Sequence, residues 1–522
     1  MPTADTVLTG AKVRTLDPAA PHATAVAVKD GLIAAVGDEA EIRDWRGPGT
    51  ETVELAGAVL TPGWTDAHSH PVWGLELATG TDLSGVGDLE ALRAALRTAD
   101  RIDGWILAYG LDHNAFGGRP LHHSLIAEAV GEAPAYIRLY DGHSALISER
   151  ALRLAGIDGP RAFDQRASVV CDGTGRPTGH LVEHAAMDLV SAVLPQTPYA
   201  ERAARLTELL SAMAATGLTS AHVMDLGGDA LRLLSAIEAA GELPLRLRLS
   251  PWCMPGAGPD ELAQLVGLQR EHGRNWRVGG VKFFMDGTVE GGTAWLEHPD
   301  CHGQGTEAFW PDPEAYSAAV RALHSAGVAT ATHAIGDAAV RHVLDTVESL
   351  GHDGPRHRIE HIETVPDGQL GRFAPLGVVA SMQPPHAEYT RADHTDEWSR
   401  RLGDERAARA WRCRAVRDAG AVLALGSDWP IAGFDARRVL ATARTPRGAS
   451  AGPGLTGLMA LEGLTSHAAL AAGEERIAGR IAPGFRADLT ALGTDPVAAP
   501  ADEVVHAPVR LTMTAGRVVF RA

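Results

Sequence analysis

Hydrophobic and polar positions follow two different periods along this chain, and the change of period divides it into three stretches. In the first sixty residues or so, short β-rich runs are broken by Gly and Asp, as in Val7-Leu-Thr-Gly-Ala-Lys-Val-Arg14 and Ala25-Val-Ala-Val-Lys-Asp-Gly-Leu-Ile-Ala-Ala-Val-Gly37. Such runs predict short strands, and Asp30-Gly31 between two of them predicts a hairpin turn. The end of the chain reads alike, with Ala487-Asp-Leu-Thr-Ala-Leu492 and Val509-Arg-Leu-Thr-Met-Thr-Ala-Gly-Arg-Val-Val-Phe520. Two β-rich ends around a different middle predict one small β domain built from both termini, residues 1–58 plus 478–522.

Between them, residues 59–477 alternate apolar strands with Ala/Leu/Arg-rich amphipathic helices at 88–100, 199–216, 312–326 and 404–419. That is the pattern of a parallel sheet with crossover helices. Strands are expected near 57–68, 104–110, 134–141, 218–225, 244–251, 278–285, 328–333, 357–362, 377–383 and 421–428, more than an eight-stranded barrel needs. Some must lie outside it, and 71–130 is the expected inserted subdomain. Polar residues collect where the apolar runs end, the place where α/β barrels keep their chemistry.

Composition narrows the function. A formal charge of −18 argues against nucleic acid and anionic membranes as partners and leaves a small molecule. Four widely spaced cysteines, Cys171, Cys253, Cys301 and Cys413, form no C-x-x-C pair, so neither a disulfide framework nor a thiolate metal site is expected. No apolar stretch is long enough to span a bilayer and the N-terminus has no signal pattern, so the expected location is cytoplasmic. A homodimer is left open.

Of 47 basic residues only Lys12, Lys29 and Lys282 are lysines. Lys282 sits in the apolar run Val278-Gly-Gly-Val-Lys-Phe-Phe-Met-Asp-Gly287, where burial favours the neutral amine, a nucleophile that arginine cannot replace. His68 and His70 end Val59-Leu-Thr-Pro-Gly-Trp-Thr-Asp-Ala-His68-Ser-His70; at i and i+2 of a strand they share a face and can bind one metal ion. With 23 histidines among 522 residues about one His-x-His arises by chance, so the strand end carries the signal. His333 ends Val328-Ala-Thr-Ala-Thr-His333 and His361 ends Arg358-Ile-Glu-His361; alone, each reads equally well as a core or surface histidine. Asp428 follows the aliphatic run Ala421-Val-Leu-Ala-Leu-Gly-Ser-Asp428 and needs a partner, a metal or else a cap or an arginine.

The order His-x-His, Lys, His, His, Asp resembles the amidohydrolase superfamily. The text around it is similar to the YtcJ-like or N-substituted formamide deformylase-like hydrolases of amidohydrolase family 3. It includes Asp141-Gly-His-Ser144, Pro177-Thr-Gly179, Thr332-His-Ala-Ile-Gly-Asp337, Gln383-Pro-Pro-His386 and Gly426-Ser-Asp-Trp-Pro430. The resemblance implies an α/β fold, a distorted (β/α)8 TIM barrel over 59–477 with a small β-sandwich from both termini. It implies one or two divalent metals, zinc first, with His68, His70 and Asp428 on the first, His333 and His361 on the second, and Lys282 bridging as a CO2-derived carbamate. The implied reaction is attack of metal-bound hydroxide on a C–N bond in an amide, formamide or cyclic amide, with Asp428 as general base and acid. His143, His113 and His386 are candidates to polarise the substrate carbonyl, and Trp73, Phe284, Phe283, Trp252 and Trp295 to line an aromatic pocket. Glu183 is the alternative bridging ligand.

Other readings remain beside this one. His180-Leu-Val-Glu183-His184 spells an inverted zincin signature if it lies on a helix. A buried lysine also suits a Schiff-base lyase, decarboxylation remains open on the same fold, and a non-catalytic regulatory protein is a further class.

Overall fold

In the computed structural model, which describes residues 3–450 and 452–522, Asp30 and Gly31 both take left-handed backbone, with φ of 52° and 75°. A two-residue hairpin turn that matches strand twist needs this pair of conformations. The turn joins Ala25–Lys29 antiparallel to Leu32–Gly37, in a four-stranded sheet completed by Thr6–Thr9 and Glu51–Glu54.

A six-stranded sheet runs in the order Arg517–Arg521, Val509–Thr514, Leu489–Leu492, Val59–Pro62, Lys12–Arg14, His22–Ala23. Leu8, Val26, Ile33 and Val53 of the first sheet share one apolar cluster with Val13, Leu60, Leu489, Leu511 and Met513 of the second. Strands from both termini therefore share one apolar cluster. Because Val59–Pro62 pairs with both terminal segments, the terminal sheets reach past the boundary expected at residue 58. Gly63 lets the chain leave them, since a Cβ there would stand 2.2 Å from Thr219 Oγ1.

The central part holds two wholly parallel sheets. One orders Trp276–Val278, Arg246–Leu249, Leu218–Val223, Trp64–Ser69; the other orders Val281–Phe284, Thr330–Ala334, Arg358–His361, Val379–Met382, Leu423–Leu425. Their strands are buried almost throughout, as parallel strands covered on both faces are. Helices such as Tyr199–Ala215, Ala230–Ala240, Pro313–Ser325 and Asp337–Glu348 separate successive strands. The sheets meet on one side through Gly279-Gly280 and the bond from Lys282 N to Pro251 O at 2.8 Å. On the other side Asp428 N donates to His68 O at 2.7 Å and His70 N to Trp429 O at 2.9 Å.

Two of the ten expected strands leave this arrangement. Trp105–Leu111 and Ala135–Leu139 join a seven-stranded mixed sheet that runs from Thr81–Asp82 to Pro177–Val182. It has its own apolar clusters, around Leu92, Ile106 and Ile137 on one side and Trp105, Tyr136 and Leu181 on the other. The insertion therefore extends well beyond 71–130. Its later strands are as apolar as those of the parallel sheets, so sequence pattern does not set its limit.

The expected helix 404–419 is two short ones, Asp404–Ala407 and Cys413–Asp418. Trp411 lies between them with φ of 40°, its amide bonded to Glu363 O at 2.9 Å and its ring stacked on Trp398 at 4.9 Å. Tertiary packing overrides the helical period here. Among the described residues, no helix is long and apolar enough to cross a membrane.

Candidate metal centre and its cleft

His68 and His70 lie on one face at the end of their strand, and each uses Nδ1 to anchor itself. Nδ1 of His68 donates to Glu360 at 2.6 Å and Nδ1 of His70 to Asp225 at 2.8 Å. Their Nε2 atoms then converge on Asp428 Oδ1, at 3.4 Å and 3.3 Å. His68 Nε2 and Asp428 Oδ1 are buried without a hydrogen-bond partner. Three inward donor atoms, two of them orphaned, backed by outer carboxylates on the imidazoles, are the arrangement that a divalent metal requires.

A second group shares Asp428. His361 Nδ1 and His386 Nε2 lie 3.8 Å and 3.6 Å from its Oδ2, and both are buried and unpartnered. These atoms lie close enough together to hold one ion. Asp428 and His361 are both held at positive φ, 58° and 74°, and such backbone persists where the surroundings dictate it. The hydrogen bond from Ser427 N to Asp66 at 3.0 Å and that from Asp428 N to the His68 strand do so for the Asp428 turn.

Burial governs the charges. It pulls His68 down to about 4, with the Lys282 ammonium adding to the effect, so His68 is a neutral imidazole ready to ligate. At His70 burial is outweighed by Asp225 and Asp428, and the ring is pushed up to about 9. The Asp428 carboxyl is buried, yet His68 and His70 hold it below the usual carboxylate range. Lys282, 1% exposed, is pulled down to about 8 by burial against the raising effect of Glu360 and Asp428. Its Nζ lies 5.1 Å from the centre of the Phe284 ring.

The cleft over these groups is narrow, about 50 Å³, and its wall includes His68, His70, Lys282, His333, His361 and Asp428. The expected ligands, from five separate strands or the residues just after them, thus line one cleft. His333 Nε2 bonds to Gly287 O at 3.0 Å, with its ring 4.4 Å from that of His361. The inserted sheet supplies the opposite wall through Tyr140, Asp141 and His143. His143 Nδ1 donates to Glu183 at 2.7 Å, and against burial the Glu183 charge raises the ring above its ordinary value.

The remaining candidates separate by position. Trp73, Phe284 and His386 line the cleft. His113 lies behind it, bonded to Asp141 at 2.9 Å. Glu183 is also behind, its second oxygen accepting from Thr293 Oγ1 at 2.6 Å. Phe283 faces the other way, 5.3 Å from the Tyr316 ring, and Trp295 packs 5.5 Å from His342. The inverted zincin signature does not form: His180 lies in the strand Pro177–Val182, Glu183 has φ of 69°, and the helix begins only at His184.

Sequence reasoning passed over Glu360, Asp225, Glu290 and Glu363. Glu360 and Asp225 were legible as carboxylates at the ends of apolar strands. Glu290 and Glu363 face the cleft from loops, where no period marks them. Glu290, pushed up to about 8 by burial and by Glu363, accepts a hydrogen bond from Tyr140 OH.

The amidohydrolase family model matches residues 51–520, and the chain belongs to this family. It is 28% identical over 520 residues to YtcJ of Bacillus subtilis, covering 95% of this chain and 96% of that one. It is 27% identical over 538 residues to the N-substituted formamide deformylase of Arthrobacter pascens, covering 98% and 97%. Among solved structures, a metal-dependent hydrolase from Pyrococcus furiosus superposes with a TM-score of 0.72 at 24% identity, covering 94% of this chain and 99% of that one.

Proposed function

We propose that the chain is a metal-dependent amidohydrolase that cleaves the C–N bond of an amide, formamide or cyclic amide. The observation that carries this is the convergence of His68 Nε2 and His70 Nε2 on Asp428 Oδ1, at 3.4 Å and 3.3 Å, with Glu360 and Asp225 behind the rings. In this reading the two parallel sheets form one distorted (β/α)8 barrel and the terminal sheets a β-sandwich. Residues 3–62 and about 478–522 belong to the sandwich, and the segment up to Val182 is inserted after the first barrel strand. The TM-score of 0.72 to a hydrolase of known structure supports that assignment.

His68, His70 and Asp428 would hold one divalent ion, zinc first for a set of imidazole and carboxylate without thiolate. His361 and His386 would hold a second together with Asp428, with His333 beside His361 and Lys282, as its CO2-derived carbamate, shared between the two. Carbamylation needs a neutral amine, and burial moves Lys282 toward one. When bound, such ions supply Lewis acidity toward the carbonyl and lower the pKa of water.

The protein's own groups perform the remaining steps. Asp428, ionised across the working range, accepts a proton from the attacking water and returns it to the leaving nitrogen. His143, steadied by Glu183, donates to the carbonyl oxygen as negative charge develops there. The narrow cleft, about 50 Å³, supports a small acyl group at the reacting carbon, with Trp73 and Phe284 against the nitrogen substituent. The deformylase relative points the same way.

The test is elemental analysis of the purified protein together with a panel of N-substituted formamides, simple amides and cyclic amides. One or two divalent ions per chain are expected, with hydrolysis abolished by chelator and restored by zinc. Protein that carries no metal after metal-supplemented expression, or hydrolysis that survives chelation, overturns the reading.

A further inference from the structure

At the other end of the same strands lies a second cavity, of about 780 Å³, within the size range of small-molecule sites. Its wall is built from residues that precede strands: Gly279-Gly280 before Val281–Phe284, Val328-Ala329 before Thr330–Ala334, and His357 before Arg358–His361. His68, His70, His333, His361 and Asp428 lie at or just past the opposite, C-terminal ends, and the two cavities share no wall residue.

The charge of this cavity runs against that of the chain. Acidic residues outnumber basic ones by 65 to 47 overall, yet Arg248, Arg270, Arg277 and Arg356 line the cavity against only Asp353 and Glu475. Arg277 is paired with Glu474 at 2.9 Å and Arg356 with Glu475 at 3.4 Å. Arg248 is different. It is 9% exposed, its Nε is buried without a hydrogen-bond partner, and among the described residues no carboxylate pairs with it.

The surroundings of Arg248 make this costlier. Burial disfavours the guanidinium and the like charges of Arg277 and Arg358 add to this, while Glu474 and Glu360, neither of them in a salt bridge with it, offset part of the effect. Gly279 and Gly280 let the backbone approach it, since a Cβ on Gly279 would stand 2.9 Å from Nε and one on Gly280 3.4 Å from Nη2. Arginine does not lose its proton in a protein, so a buried, unpaired guanidinium needs an anion from elsewhere. A planar fork of donors, with further arginines around it, matches the oxygens of a phosphoryl group.

We propose that this cavity is a binding site for a small phosphate-bearing anion seated on Arg248. The site is independent of the hydrolytic cleft and of the metal in it.

Isothermal titration of the metal-loaded protein with inorganic phosphate, and separately with a sugar monophosphate, tests this. Saturable binding is expected, weakened by about tenfold or more in Arg248→Gln and in Arg270→Gln and unchanged in the surface control Arg521→Gln. Arg270 is exposed, so its variant keeps the test valid if Arg248→Gln fails to fold. Tighter binding of the sugar phosphate would assign the site to phosphoesters, and tighter binding of phosphate to the free anion; both support the proposal. Phosphate held at the metal centre would not respond to either variant. Absence of binding by both probes up to about 10 mM, equal affinity in wild type and both variants, or binding only of an acidic peptide would overturn it.

Discussion

Asp428 sits where both candidate ion positions meet, each of its oxygens facing a different histidine pair. In the proposed reaction, removing its charge affects holding and proton transfer together, and Asp428→Asn should lower kcat by about 10² to 10⁴ while leaving the fold intact by circular dichroism. Glu360 never faces substrate. It orients His68, and Arg358 in turn holds Glu360 at 2.9 Å. Glu360→Gln should weaken metal affinity by about 10- to 100-fold, measured by competition with a chromophoric chelator. Activity should return when zinc is added in excess, an outcome that a merely misfolded variant would not give. Lys282→Ala tests the proposed bridge: about one ion per chain should be lost. A variant that retains two ions and full hydrolysis would remove Lys282 from the centre.

Elements place these residues by close approach. Gly426 lies between the Leu423–Leu425 strand and Asp428, and a Cβ there would stand 2.5 Å from His68 N and 2.9 Å from Asp66 Oδ1. Gly426→Ala should push apart the strand ends that carry His68 and Asp428. The expected result is a loss of about 1–3 kcal/mol in denaturant unfolding and a larger relative loss of metal affinity. The strands that carry His333 and Asp428 were legible because an apolar or small-residue run ends there on a polar residue, that of Lys282 because a lone lysine lies inside an apolar run, and those of His68 and His361 because a histidine closes a short β-rich segment. The broken helix at 404–419 and the extent of the inserted sheet were not. Trp411 leaves the helix to cover the cleft, and the inserted strands at 105–111 and 135–139 are as apolar as those of the parallel sheets. Local pattern records burial but not which sheet does the burying.

At the scale of the whole molecule, the ends of the chain are tied together by Asp495, which accepts from Lys12 at 2.7 Å and from Arg14 at 2.6 Å. Burial pushes the Asp495 carboxyl up, but Arg14 and Lys12 hold it below its ordinary value of 3.8. A depressed carboxylate contributes stability above its unfolded pKa and loses it as pH falls toward the folded value. Wild type should therefore lose Tm more steeply than Asp495→Asn as the pH drops below 3.8, with the two melting in parallel above about pH 6. Metal acts on the folded state in the same way as any ligand. Chelation should lower Tm, and zinc should restore it in a concentration-dependent manner.

The sequence alone determined the period of most segments, the β-rich character of the two ends, the hairpin at Asp30-Gly31 and the polar residues in or just after the buried runs. These depend on side-chain alternation and on backbone preferences carried by neighbouring residues. Only the tertiary structure decided which of those residues face one another. It set His386 beside His361, moved Glu183 behind His143, and drew Glu360 and Asp225 to the outer nitrogens of the two histidines. It also left Arg248 without a partner at the far end of the strands. Those relations join residues up to several hundred positions apart, and a period of two or of 3.6 carries no information over that distance.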